Sequence, residues 1–278
     1  MRHHTGDYTA PDGQKLFTQR WLPDAAPRAI IVITHGIGEH STRYARHAEF
    51  FTPHGYAVYT YDLRGHGQTP GPRGAVRSHD DLLSDLHAQV AAARADYPTT
   101  PIFVFGHSLG GNITLHYALK HPQGLTGVVA SSPWLKLAFP PAPHLLLLAK
   151  LLKGIYPTLT LNAPLDNSAI SRDPAIVRAY ENDPLIHSKN SPGLGQGGID
   201  AGKWILDHAA EFSLPVLLLH GTADRLTSPA ATQQFYDTIA SPTKKLIFYD
   251  GWYHELHHEP DHAQYFTDVL TWLDGIID

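Results

Sequence analysis

The chain contains no cysteine. That excludes disulfides, thiol nucleophiles and thiolate metal sites, but it leaves the compartment open, because exported proteins can also lack disulfides. Strong charge of either sign is missing too: the net charge is -5 and only 17% of residues are charged. Without a basic footprint, nucleic acid is not an expected partner. No apolar run reaches the ~20 residues that a membrane-spanning helix needs. The greasiest stretch, "HLLLLAKLLKGIY" (144–156), is broken by Lys150 and Lys153, and the opening "MRHHTGDYTAPDGQ" has no secretory apolar core. A soluble, cytoplasmic protein is the expectation, with peripheral contact at membranes through the leucine-rich run as an addition. Twenty histidines invite a metal reading, but neither a metal nor a cofactor is expected. No repeat or linker interrupts the chain. The sequence does not set the oligomeric state.

What is present is a 42% apolar chain of 278 residues, enough for one large core. The Asp12-Gly13 turn before "KLFTQRWL" (15–22) predicts an opening antiparallel hairpin. Buried strands are predicted at "AIIVITHG" (29–36), "YAVYTYD" (56–62), "IFVFG" (102–106) and "LTGVVASS" (125–132), with helices between them. After Pro133 the alternation stops for about 80 residues, which include a glycine-rich stretch, "SPGLGQGGIDAG" (191–202), read as a loop. Order returns with "PVLLLHG" (215–221), a helix near 229–239, "KKLIFYD" (244–250) and a closing helix near 260–275. The pattern predicts an α/β fold with a mostly parallel central sheet flanked by helices. The core comprises residues 1–132 and 214–278, with a cap inserted at 133–213.

The loops that leave the strand ends carry the chemistry: "HGIGEH" (35–40), "DLRGHGQT" (62–69), "GHSLGG" (106–111), "HGTADR" (220–225) and "DGWYHELHH" (250–258). Open α/β sheets place their sites along that edge. Ser108, hemmed in by Gly106, Gly110 and Gly111, has the pattern of a nucleophile on a strained strand-to-helix elbow. A serine hydroxyl needs a base, and the base needs an orienting acid. Asp224 and His254 follow in the order serine, acid, histidine. Asp207 and Asp250 are weaker rivals for the acid, and His257 and His258 compete for the base. Acyl transfer also needs donors for the developing oxyanion. The backbone amides of Leu109 and Ile37 are the candidates. His66 is read as a brace for its own loop.

Taken together, "HGIGEHSTRY", "YDLRGHGQT", "GHSLGG", "HGTADRL" and "GWYHELHHE" resemble the monoacylglycerol lipases, within the α/β-hydrolase group that includes lysophospholipase-like enzymes. The resemblance covers about residues 10–135 and 210–275. It implies an α/β-hydrolase fold and a triad of Ser108, Asp224 and His254, with Ile37 and Leu109 as oxyanion donors. It also implies a polar pocket for a glycerol head, corresponding to Glu39, Arg43 and His257. The implied reaction splits a small lipid ester into fatty acid and alcohol through an acyl-enzyme. A lysophospholipase, a short-chain carboxylesterase or a non-catalytic hydrolase-fold binding protein are the alternatives. Ile37, Leu109 and Thr69 stand where relatives often carry Ala, Met and Ser.

Overall fold

The structure, a computed structural model, describes residues 1–140 and 143–278, with Leu145 described by its backbone. The opening hairpin pairs β1 (Arg2–Thr9) with β2 (Lys15–Leu22), turning at Gly13, whose φ of 84° favours glycine. Then come β3 (Ala29–Thr34), α1 (Ala45–Phe51), β4 (Tyr56–Tyr61), α2 (His79–Asp96), β5 (Ile102–His107), α3 (Leu109–Lys120) and β6 (Gly127–Ser131). Ser78 starts α2 through a reciprocal capping box with Asp81.

Strands β3 to β6 are buried along their whole length, as expected where helices cover both faces of a sheet. Their side chains alternate between two cores. Ile30, Val32 and Val104 face the layer of α2 and α3, whereas Ile31, Ile33, Phe103 and Phe105 face the other side.

After β6 the chain leaves the sheet. It forms α4 (Pro143–Ile155), the short strand β7 (Leu161–Asn162), α5 (Pro174–Asn182), β8 (Lys189–Asn190), which pairs with β7, and α6 (Pro192–Asp207). The predicted glycine-rich loop at 191–202 is in fact most of helix α6. Ser191 caps it, Pro192 occupies its first turn, and the glycines serve contact instead of flexibility. A Cβ on Gly193 would collide with the Val76 carbonyl, and one on Gly202 with the Leu135 carbonyl. A Cβ on Gly198 would lie 2.9 Å from the Trp134 ring. Close packing overrides the weak helix propensity of glycine here.

The chain returns to the sheet with β9 (Val216–Gly221), α7 (Pro229–Thr238), β10 (Lys244–Tyr249) and α8 (His262–Ile277). The sheet order is β1-β2-β4-β3-β5-β6-β9-β10, with β2 antiparallel to both of its neighbours, β1 and β4, and every other neighbouring pair parallel. From β3 the chain moves to one side and from β5 to the other. The order therefore reverses between β3 and β5, where α/β sheets open a crevice at the strand C-termini. No helix among the described residues is long and apolar enough to cross a membrane.

Candidate active site

Ser108 sits at that crevice with φ 54° and ψ −117°, a left-handed conformation that a non-glycine residue adopts only under strain of about 1–3 kcal/mol. The neighbouring glycines make the turn fit. A Cβ on Gly106 would strike the Gly110 carbonyl and Thr114 Oγ1, and one on Gly110 would strike the Thr34 carbonyl. The serine hydroxyl makes no hydrogen bond among the described residues and opens into a cavity that His254 also lines. Apo sites often hold their catalytic hydrogen bonds loosely, tightening them once substrate is bound.

The Leu109 amide begins α3, at the positive end of the helix. Across the crevice, a Cβ on Gly36 would lie 3.2 Å from the Ser108 Cβ, so the loop after β3 presses against Ser108. The Gly36 amide donates to Glu39 Oε1 at 2.6 Å, which holds that loop in place. Among the described residues, the amides of Ile37 and Leu109 have no protein acceptor. Leu109 follows Ser108 directly in the chain, and Ile37 lines the same cavity as Ser108.

Asp224 lies in the loop after β9 and is buried. Leu226 and Thr227 amides donate to its Oδ1 at 2.7 and 3.0 Å, while His254 Nδ1 meets Oδ2 at 2.7 Å. Burial alone would raise the Asp224 carboxyl, but His254 and the hydrogen bonds of His220 and His254 hold it well below the usual carboxylate range. For His254, burial opposes charging, yet the Asp224 carboxylate lifts the imidazole above its ordinary value, with Glu255 and Glu39 adding to the effect. The rivals lie elsewhere. Asp207 pairs with Lys203 on the surface, and Asp250 is held by Thr222. His258 is tied to Glu255 and Arg43.

The three residues expected to read a polar head separate. Glu39 lines a recess of about 20 Å³ beside Ser108 and His254, together with His107, Tyr180 and Glu255. A space of that size holds about one water. Arg43 sits behind it, gripping Glu39 at 2.7 Å and both oxygens of Glu255 at 2.7 Å. These partners and the Tyr180 ring over its guanidinium fix Arg43 in the wall. His257 is fully buried and lines neither the cavity nor the recess, a correction to the expectation. Its ring packs against Tyr44, His47, His107 and His258, and both ring nitrogens lack partners. One turn of 3-10 helix at 256–258 points it into the core behind the site.

The main cavity has a volume of about 830 Å³. Ser108, His254 and Ile37 line it, together with the apolar side chains of Leu146, Leu148 and Leu152 of α4 and of Ile186 and Ile199. Glu255, His257 and His258 bring ligand-type atoms within 4.8 Å of one another, but Arg43 already holds Glu255 and His258 there.

A family model described as serine aminopeptidase, S33, matches residues 25–261. The chain belongs to that family of hydrolases. It is 35% identical over 262 residues to a monoacylglycerol lipase of Mycolicibacterium smegmatis, covering 94% of this chain and 93% of that one. It is also 35% identical over 278 residues to an abhydrolase domain-containing protein of Dictyostelium discoideum, of which it spans 29%. The crystal structure of Paleococcus ferrophilus monoacylglycerol lipase superposes with a TM-score of 0.86 at 33% identity, covering 94% of this chain and 99% of that one. The fold is the α/β-hydrolase fold, and the sequence resemblance to monoacylglycerol lipases holds over nearly the whole chain.

Several residues around this S33-family site had no place in the sequence reading. Ser132 is the other non-glycine residue with positive φ, 45°, and its hydroxyl donates to the His254 carbonyl at 2.8 Å. Thr227 donates to Asp224 Oδ2 at 2.9 Å. Tyr180 comes from α5 in the insertion, which pattern alone could not bring to the site. The residue just before Ser108, His107, lies with its ring 4.7 Å from that of His254. A signal for some of these was available: His35, His107 and His220 each stand at the C-terminal end of a parallel strand, where the site must be.

Proposed function

We propose that the protein is a serine hydrolase of carboxylic esters whose substrate is a monoacylglycerol. The observation that carries this reading is the strained Ser108 elbow. It opens, beside the His254–Asp224 pair, into a long apolar cavity within a family that includes named monoacylglycerol lipases. His254 takes the Ser108 proton as Oγ attacks the ester carbonyl. The Ile37 and Leu109 amides receive the oxyanion, and His254 then protonates the departing alcohol. Water, activated by the same imidazole, releases the fatty acid. Asp224 keeps the imidazole oriented and supports its charged form.

The apolar walls suit the acyl chain. Glu39 and Glu255, at the recess beside Ser108, supply acceptors for one free hydroxyl of a glycerol head, and Arg43 holds both carboxylates. The outward face of α4, with Leu147, Leu151 and Ile155 exposed beside Lys150, supports docking at a lipid surface.

Fatty-acid release from monoacylglycerols of several lengths, a diacylglycerol, a lysophospholipid and a short simple ester tests the reading, with Ser108→Ala as control. The expected result is a preference for monoacylglycerols and a loss of about 10⁴-fold or more in the variant. A better rate on the lysophospholipid or the short ester would reassign the substrate. A folded wild type that neither hydrolyses esters nor reacts with a fluorophosphonate would leave a binding protein as the reading.

A further inference from the structure

A second imidazole touches the acid of the triad. His220, on β9, is fully buried, and its Nε2 lies 3.1 Å from Asp224 Oδ2. That is the same oxygen that His254 Nδ1 meets at 2.7 Å. An ionised carboxylate only accepts, so Nε2 of His220 carries the proton. In the neutral ring Nδ1 then accepts from the Thr232 hydroxyl, at 2.8 Å, on the first turn of α7. A chain of groups thus runs from Thr232 through His220 and Asp224 to His254. His220 lines neither the cavity nor the recess, so it has no path to substrate.

We propose that His220 is a positioning residue that acts through Asp224, sharing one carboxylate oxygen with His254 and so setting how much negative charge the catalytic imidazole receives. This rests on the hydrolytic reading of Ser108, His254 and Asp224 above. A charge-assisted N–H donor draws electron density from the oxygen it binds. Without it, more of the carboxylate charge faces His254, and the imidazolium keeps its proton to higher pH.

Asp224 itself does not depend on His220 for its place. The Leu226 and Thr227 amides hold Oδ1, and the Thr227 hydroxyl still reaches Oδ2. The other charged or titratable groups facing this cluster are His107 against the His254 ring, with Glu255, Glu39 and Arg43 beyond it. Arg225 turns outward to Asp166, and Asp250 is held by Thr222. None of them touches Asp224 Oδ2, so the number of donors on that oxygen is the variable the His220 side chain controls.

The test is the pH profile of kcat/KM on a soluble p-nitrophenyl ester for wild type, His220→Leu and His220→Gln, with Ser108→Ala as the blank. His220→Leu is expected to move the acid limb up by about 0.5–1 pH unit. His220→Gln, whose amide N–H can replace the Nε2 donor, should keep the limb within about 0.2 unit of wild type. A merely structural histidine would lower the melting temperature or the plateau and leave the limb in place. A folded His220→Leu variant with the wild-type limb, or one shifted down, overturns the proposal. Should that variant fail to fold, Thr232→Val decides. It removes only the donor to Nδ1, must shift the limb the same way by a smaller amount, and overturns the proposal if it does not. Wild type without Ser108-dependent hydrolysis would instead remove the hydrolytic reading itself, so the two failures are distinguishable.

Discussion

At the scale of single residues, the site is built from groups that are individually uncomfortable. Ser108 and Ser132 hold left-handed backbone, Asp224 is a carboxylate out of water, and His257 is an imidazole with two unpartnered nitrogens. The first three have partners or a task that explains them; His257 has neither. A buried polar atom without a hydrogen bond costs about 1–3 kcal/mol, so replacing it with an apolar ring of similar shape should not hurt. His257→Phe is therefore expected to leave stability at neutral pH unchanged or raised by up to ~1 kcal/mol. It should also keep KM for a monoacylglycerol within about twofold, because the ring lines no part of the cavity. Thermal denaturation and steady-state kinetics on the purified variant check both. A selective rise in KM for the monoacylglycerol, with a short ester unaffected, would return His257 to the role that the family resemblance gave it.

At the scale of elements, the parallel strands and the loops at their ends were legible because local pattern and tertiary role agree. A continuous apolar run such as "AIIVIT" can only be covered on both faces, and the chemistry must then gather at the strand ends. The insertion was not legible, because its elements answer to their neighbours. Helix α6 carries five glycines that pattern reading assigns to a loop, and the carbonyls of Val76 and Leu135 and the ring of Trp134 explain three of them, Gly193, Gly202 and Gly198. Likewise, "ELHH" does not reveal which histidine turns inward.

Helix α4 is a further case. Leu146, Ala149 and Leu152 face the cavity, while Leu147, Leu151 and Ile155, spaced four apart, are 61%, 59% and 68% exposed. The helix is apolar on two faces, and only the inner one is covered. Combined Leu147→Gln, Leu151→Gln and Ile155→Gln should cut partitioning onto anionic vesicles about tenfold or more. Hydrolysis of a soluble short ester should stay near wild type, since none of the three lines the cavity. Sedimentation with vesicles and parallel assays on dispersed and soluble substrates measure the two effects. Unchanged partitioning would remove α4 as the lipid contact.

Across the whole molecule, the unusual histidine content becomes a statement about pH. Six imidazoles, His35, His47, His66, His79, His107 and His257, are essentially out of solvent, and burial depresses each of them, His35 and His79 to about 3. In the unfolded chain each would titrate near 6.5. Between those values the unfolded state binds protons that the folded state cannot, so stability rises with pH and is lost as pH falls below about 6.5. Each such group contributes up to about 1.4 kcal/mol per pH unit below its unfolded value, and the six act in the same direction. His254 works in the opposite sense: its raised folded value adds stability below its unfolded value and loses it as pH climbs through the folded one. It is a single group against these six and against His116, His121 and His187, which burial also depresses. Asp224 and Glu255, depressed by their buried partners, add an acid loss only at lower pH, below the ordinary carboxylate range. The melting temperature should therefore be flat above about pH 7 and fall steeply between pH 6 and 5, before carboxylates titrate. Calorimetry in buffers of different ionisation enthalpy should register uptake of at least about six protons on unfolding near pH 5. His257→Phe removes one of the six and should move the acid midpoint to lower pH. A melting temperature that stays level down to pH 4.5 would mean that the buried rings are not held neutral, and that the interior between the sheet and its helices admits far more water than its packing allows.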